Sequence, residues 1–275
     1  MGRLRKAARG AFHNDQQKAL ADLLRRLAHR HGMWQVFRDF AALSALAISN
    51  RVDRSQFDPR EAEYLAIARR YQPDEMRLFA EGLGCVIEGL AAGFQDFLGS
   101  LYMLLELGDT WKGQIFTPYS VSLMLAKMTC PADSVRAIIA ERGFVSVADP
   151  CVGGGALLTA VAQALHEEGI AYQTRMHATA QDIDLLAVHM AYVQLSLLHV
   201  PAVVIHGDSI AGEVRSVWRT PAHVWGGWEA RTLLALDAPQ REPDAPQPAA
   251  TPIVLPPAPP PLVRPGAAAQ FSLFD

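Results

Sequence analysis

The stretch from Phe144 to Leu158, read as FVSVADPCVGGGALL, constrains the fold of this chain more than any other. A short apolar run, Phe144 to Ala148, leads into Asp149-Pro150, and three consecutive glycines precede an apolar helical pattern that begins at Ala156. This order predicts a strand, a tight turn and a helix. Glycine in such a turn permits unusual backbone angles and close approach of a ligand, and the N–H groups at the helix start are free to hold that ligand.

The pattern that follows alternates between helix and strand. It predicts helices over residues 156–166 and 185–199, and further strands over about 174–180 and 201–205. Alternation in units of about 30 residues is typical of parallel βαβ packing. The three predicted strands are followed by Asp149, Asp182 and Asp208. Because ligands of such folds bind beyond the carboxyl ends of the strands, the sequence predicts a binding site at that edge of the sheet.

The chain before this region has the periodicity of successive amphipathic helices. We expect one helix to begin with Asp58 as its N-cap, Pro59 as its first helical residue and Glu61 as the second member of a capping box. Another helix is expected to begin at Pro73. Trp34 is predicted on a buried helix face. The predicted fold class is therefore α/β: a shortened, Rossmann-like sheet domain, preceded by an all-helical N-terminal domain.

The predicted elements divide the chain into three segments. Residues 1–108 form the predicted helical domain, residues 109–237 the ligand-binding α/β domain, and residues 238–275 a tail. Eleven of the eighteen prolines lie between residues 239 and 265, a composition typical of disordered or polyproline-like chain.

Composition excludes several classes of protein. No apolar run approaches the roughly 20 residues of a membrane helix, and the start of the chain lacks the apolar core of a secretory signal, so we expect a cytoplasmic protein. Cys85, Cys130 and Cys151 are odd in number and widely spaced, which favours neither disulfides nor a metal site. The net charge of −3 gives no general attraction to nucleic acid, although residues 1–31 carry eight Lys and Arg residues.

A glycine turn of this kind is typical of sites for three classes of ligand. A nicotinamide fold needs Gly-x-Gly-x-x-Gly, and the last position here is Leu158; a phosphate-binding loop needs Gly-Lys-Ser/Thr, which is absent. S-adenosylmethionine (SAM) carries an ammonium, a carboxylate, a ribose diol and an adenine. Asp149 suits the ammonium, Asp182 the ribose hydroxyls and Asp208 the adenine amino group, so SAM is the predicted cofactor.

The motifs, taken in order, resemble the N6-adenine DNA methyltransferases of the type I restriction–modification M-subunit kind. The matching stretches within residues 94–210 are Gly113–Pro118, Asp149–Gly155 including Pro150, Asp182 with Asp184, and Gly207–Ile210. The resemblance implies that Phe116, Thr117 and Pro118 help to close the cofactor pocket. It also implies that Asp149, Gly153, Gly154 and Gly155 hold the methionine part of SAM, Asp182 the ribose and Asp208 the adenine. DNA is the implied substrate, with a specificity subunit or a second copy of the chain as partner.

One motif of that family is not found. The family places Asn-Pro-Pro-Phe/Tyr after its fourth strand, where it binds a flipped adenine. The nearest context here is Arg219–His223, which has neither the Asn nor the second proline. His223 and Trp225 could stack on a base, although a structural or interface role is favoured for both. The catalytic residues stay unassigned, and two interpretations stay open: a DNA adenine methyltransferase, or a SAM-binding subunit or restriction-modulating protein without transfer activity.

The end of the tail carries a separate resemblance. Gln270-Phe271-Ser272-Leu273-Phe274 is similar to the peptides by which bacterial replication and repair proteins dock on the sliding clamp. A short apolar motif on a flexible tether is a common means of peptide recognition. The resemblance implies the clamp as a further partner.

Overall fold

The computed structural model describes residues 12–107 and 116–237. The N-terminal region is helical, as predicted, with helices α1 (Asp15–His31), α2 (Met33–Val52), α3 (Phe57–Ala68), α4 (Pro73–Ala91) and α5 (Phe97–Leu104). Helix α4 opens at Pro73 with a capping box in which Gln72 and Glu75 satisfy each other's backbone N–H groups. The local sequence thus places the start of this helix correctly.

Two details of the helical prediction are wrong. Helix α3 begins at Phe57, so Asp58 lies inside the first turn, and Glu61 accepts a hydrogen bond from the Asn50 side chain at 2.7 Å instead of closing a capping box. Trp34, predicted to be buried, keeps 48% of its surface exposed. Tertiary contacts with α2 therefore outweigh the local capping signal at Asp58.

The second half forms a four-stranded sheet in the order β1–β2–β3–β4. Strands β1 (Val145–Asp149), β2 (Met176–Asp182) and β3 (Ala202–His206) are parallel, and β4 (Ser216–Arg219) runs antiparallel to β3. The helices of this half are α6 (Tyr119–Thr129), α7 (Ala132–Arg142), α8 (Ala156–Glu167), α9 (Tyr172–Arg175), α10 (Leu185–Leu197), α11 (Pro221–Trp225) and α12 (Trp228–Asp237). The predicted α/β class with a helical N-terminal region is confirmed, whereas β4 was not anticipated.

One face of the sheet is packed, whereas the other is covered, within the described ranges, only at its amino end, where His177 packs against His223 and Trp228. The packed face presents small apolar side chains such as Ala178, Ala180 and Val204 to α8 and α10, and these side chains are fully buried. On the opposite face Ala148 and Thr179 are exposed, and among the described residues β1 pairs with β2 alone. Parallel sheets are normally covered on both faces, so the described residues form one side of such a fold.

Helix α10 joins the sheet to the helical region. It packs on β2 and β3 with one side and on α2 and α5 with the other, which explains why almost every residue from Leu186 to Ser196 is buried. A single apolar core runs through both regions. The boundary predicted at residues 108 and 109 and the tail from residue 238 lie outside the described residues. No helix within the described ranges has the length and apolarity needed to span a membrane.

Candidate cofactor site

The glycine turn connects β1 to α8 at the carboxyl edge of the sheet. Gly153 and Gly155 have φ angles of 53° and 97°, in the left-handed region that favours glycine. The turn is fixed by two backbone hydrogen bonds of 2.9 Å, one from the Val152 N–H to the Gln181 carbonyl and one from the Gly155 N–H to the Val152 carbonyl. Among the described residues, no side chain caps the start of α8, and uncapped N–H groups at a helix start can hold a ligand.

Two carboxylates border this turn. Asp182 accepts hydrogen bonds from the N–H groups of Gly153 and Asp184, each at 2.9 Å and each through a different oxygen. Asp149 accepts one from the Cys151 N–H at 3.1 Å. Burial raises the pKa of Asp149, and the nearby charge of Asp182 raises it further. A cation bound here would relieve that repulsion. The glycine turn with Asp149 and Asp182, called the cradle below, is therefore suited to a positively charged group.

Phe116 lies directly against the turn. A Cβ built on Gly153 would approach the Phe116 ring to 3.0 Å, and the same ring packs against Tyr102 with 5.5 Å between centroids. Thr117 and Pro118 follow, both exposed, and the Pro118 carbonyl accepts the first hydrogen bonds of α6. The structure therefore brings Phe116 onto Gly153, while residues 113–115 of the same motif lie outside the described ranges.

Asp208 lies on the neighbouring loop, after β3. Its Oδ1 accepts hydrogen bonds from the N–H groups of Ile210 and Ala211, which lower its pKa. The loop is tied to the site because the Gly207 N–H donates to the Asp182 carbonyl at 2.9 Å. Gly207 has no room for a side chain, since a Cβ would lie 2.0 Å from the Glu213 carbonyl oxygen. Asp208 is thus placed next to the strand end that carries Asp182, on an open loop.

Sequence reasoning missed two residues that touch the turn from the other side. Gln194 of α10 donates to the Gly154 carbonyl at 2.6 Å and to Asp96 Oδ1 at 3.0 Å. Asp96, the N-cap of α5, is buried in the helical region. Neither forms part of a local motif; a polar Gln within the otherwise apolar run of α10 was the only available signal.

The donor set fits S-adenosylmethionine. Two acidic side chains at a glycine turn suit an ammonium and ribose hydroxyls, and the uncapped start of α8 suits a carboxylate. In the described part of the chain, no cluster of three or more His, Cys, Asp and Glu side chains could hold a metal ion.

Comparisons with known proteins agree with this geometry. Residues 95–220 match the N-6 DNA methylase family. Among solved structures, a candidate class I S-adenosylmethionine-dependent methyltransferase from Listeria monocytogenes aligns with 74% of this chain and 56% of its own, at 17% identity and a TM-score of 0.40. The chain thus spans about half the length of that protein. No curated protein matches the chain significantly. Residues 95–220, somewhat less than half of the chain, are thus similar to the N-6 DNA methylase family, and S-adenosylmethionine is the cofactor that this similarity implies.

Proposed function

We propose that the chain is a SAM-dependent DNA methyltransferase subunit that acts on the N6 amino group of adenine, in a restriction–modification-like setting. The observation that carries this proposal is the glycine turn bordered by Asp149 and Asp182, within the segment that matches the family. The bound cofactor supplies an electrophilic methyl group on its sulfonium. The protein's part is to hold that group in place and to exclude water from it.

Each side of the cradle has a separate role in this proposal. Asp149 holds the ammonium, and the open N–H groups of α8 hold the carboxylate of the methionine part. Asp182 accepts from the ribose hydroxyls with the lone pairs that the turn leaves free, and Phe116 covers the turn. Asp208, on its exposed loop, receives the adenine amino group of the cofactor.

A second candidate function is a SAM-binding subunit without transfer activity, and the direction of β4 favours it. Arg219 pairs with Val203 near the start of β3, so the segment after β4 lies at the opposite edge of the sheet from Asp208. His223 is buried there, within 2.9 Å of the His177 ring and 3.3 Å of Glu229. The Arg219–His223 segment therefore cannot present catalytic groups to the cofactor, and such groups have to come from elsewhere.

Transfer of labelled methyl groups to DNA separates the two candidates. We expect N6-methyladenine to form when the chain is combined with a specificity subunit, and we expect Asp149→Ala to remove it. If SAM binds but no methyl group reaches DNA with or without the partner, the non-catalytic function replaces the proposed one. A wild type that binds no SAM would end both.

We also propose that the chain works in the cytoplasm and docks on the sliding clamp through Gln270–Phe274, which lies outside the described residues. Immobilised clamp is expected to retain the full-length chain and to lose the double variant Leu273→Ala/Phe274→Ala, because the two apolar side chains supply the contact. Equal retention of the two proteins would rule this motif out as the docking site.

A further inference from the structure

The side chain of Gln194 connects three parts of the molecule. It projects from α10, is fully buried, and uses both ends of its amide. Its nitrogen donates to the Gly154 carbonyl and to Asp96, and its oxygen accepts the Leu98 N–H at 3.0 Å. These three bonds are all directed at the turn or at α5, and the amide is costly to remove because each lost partner leaves a buried polar group unpaired.

Asp96 approaches the glycine turn from the helical region and accepts a hydrogen bond from Gln194. Its Oδ1 also accepts the Gly99 N–H at 2.9 Å, as the cap of α5. The glycine turn packs against this cap so closely that a Cβ on Gly154 would lie 3.1 Å from both Asp96 Oδ1 and the Gly99 Cα. Helix α5 therefore forms a wall of the turn.

A turn with three consecutive glycines needs such support. Glycine has more backbone freedom to lose than any other residue, so the turn by itself favours no single conformation. Asp182 fixes the Gly153 N–H on one side of the turn, and Gln194 fixes the Gly154 carbonyl on the other. Together they set the direction of the peptide units that face the ligand.

We propose that Gln194 and Asp96 are positioning residues for the cofactor: they hold the glycine turn in its binding geometry from the helical region, without touching the ligand. The ligand in this proposal rests on the function proposed above. Burial raises the pKa of Asp96, and the hydrogen bonds from Gln194 and the Gly99 N–H act against that shift by stabilising the carboxylate. Preorganisation of this kind strengthens binding by removing the ordering cost of the turn.

The test compares Gln194 with Gln17, because both side chains are buried and both form hydrogen bonds with α5. Gln194→Met removes the amide and keeps the side-chain volume, and titration calorimetry with SAM is expected to show about tenfold weaker binding, equivalent to about 1.4 kcal/mol. Gln17→Met is the matched control, because Gln17 is equally buried and donates to the Phe97 carbonyl and Ser100 Oγ without contacting the turn. It is expected to lower the melting temperature and to leave the affinity unchanged.

Substitutions of Asp96 give a second test, because a conservative change should preserve the affinity that a larger change removes. Asp96→Asn keeps an oxygen that accepts from Gly99 and Gln194, so near wild-type affinity is expected, whereas Asp96→Ala is expected to match Gln194→Met. Should Gln194→Met fail to fold, Gln194→Leu removes the same donor and acceptor with a different apolar side chain. Unchanged affinity in the folded Gln194 variant, or an equal loss in Gln17→Met, would overturn the proposal.

Hydrogen exchange keeps this proposal separate from the function it rests on. The Gly155 N–H is bonded to the Val152 carbonyl, so its exchange reports the order of the turn without any ligand. Exchange over residues 152–156 is expected to be faster in Gln194→Met than in wild type or Gln17→Met. A wild type that binds no SAM would defeat the proposed function, whereas unchanged exchange in Gln194→Met would defeat the positioning role.

Discussion

Gly155→Val is expected to abolish detectable binding of S-adenosylmethionine. Gly155 has a φ of 97°, and a non-glycine residue in this region costs about 1–2 kcal/mol, more when it is β-branched. A Cβ at this position would also lie 3.3 Å from the Ala191 Cα and 3.4 Å from its Cβ. The start of α8 must therefore shift, and the N–H groups of the turn shift with it. Titration calorimetry measures the loss.

The matched control is Gly169→Val at the other end of α8. Gly169 also has a positive φ, of 70°, but nothing lies within 4 Å of a Cβ built there. This variant carries comparable backbone strain away from the turn, so a lower melting temperature with unchanged affinity is expected. Wild-type affinity in Gly155→Val would show that the turn does not contact the cofactor.

The second large effect is expected for Asp182→Asn, which should weaken binding by about tenfold to a hundredfold, or about 1.4–2.8 kcal/mol. Both oxygens of Asp182 accept backbone N–H groups, so an amide nitrogen at this position faces a donor and disturbs the turn at Gly153. The substitution also removes the charge that suits the ribose hydroxyls. Calorimetric affinities of folded variants give the ratio.

Asp184→Asn is the control for this substitution. Asp184 caps α10 by accepting the Leu186 N–H at 3.0 Å, and asparagine is an equally good N-cap. The same chemical change two residues along is therefore expected to alter affinity and stability little. If both variants bind equally weakly, loss of charge in the loop, rather than the contact of Asp182 with the turn, explains the result.

The strand, turn and helix around Gly153 could be predicted because their signals are local. An apolar run, three glycines and a helical periodicity lie within fifteen residues, and the acidic residues after each strand mark the carboxyl edge. The cap at Pro73 was predictable for the same reason. At Asp58 the local signal was outweighed by packing, because α3 begins two residues earlier, at Phe57, against α2.

The rest depends on contacts distant in sequence. Strand β4 has four residues and no alternation long enough to indicate a strand, and only its pairing with β3 defines it. Gln194 and Asp96 are 98 residues apart, so no motif could join them. The family match runs from residue 95 to residue 220, so α5 and the glycine turn both lie within the matched segment.

The open edge of β1 is relevant to the catalytic groups, which are still unassigned. Among the described residues β1 carries the glycine turn and has one strand neighbour, so its other edge is open. A strand added there in parallel would end beside Asp149, at the edge where ligands of such sheets bind. Catalytic groups carried by such a strand would therefore lie near the proposed cofactor site. The segment after β4, by contrast, lies at the opposite ends of the strands.

Calorimetric titration of S-adenosylmethionine into the wild-type chain tests the central claim most directly. A saturable heat with one site per chain is predicted, lost in Gly155→Val and retained in Gly169→Val, and no heat is predicted with NAD. Absence of binding by the wild type, or binding that Gly155→Val leaves intact, would contradict the assignment of the glycine turn as a SAM site.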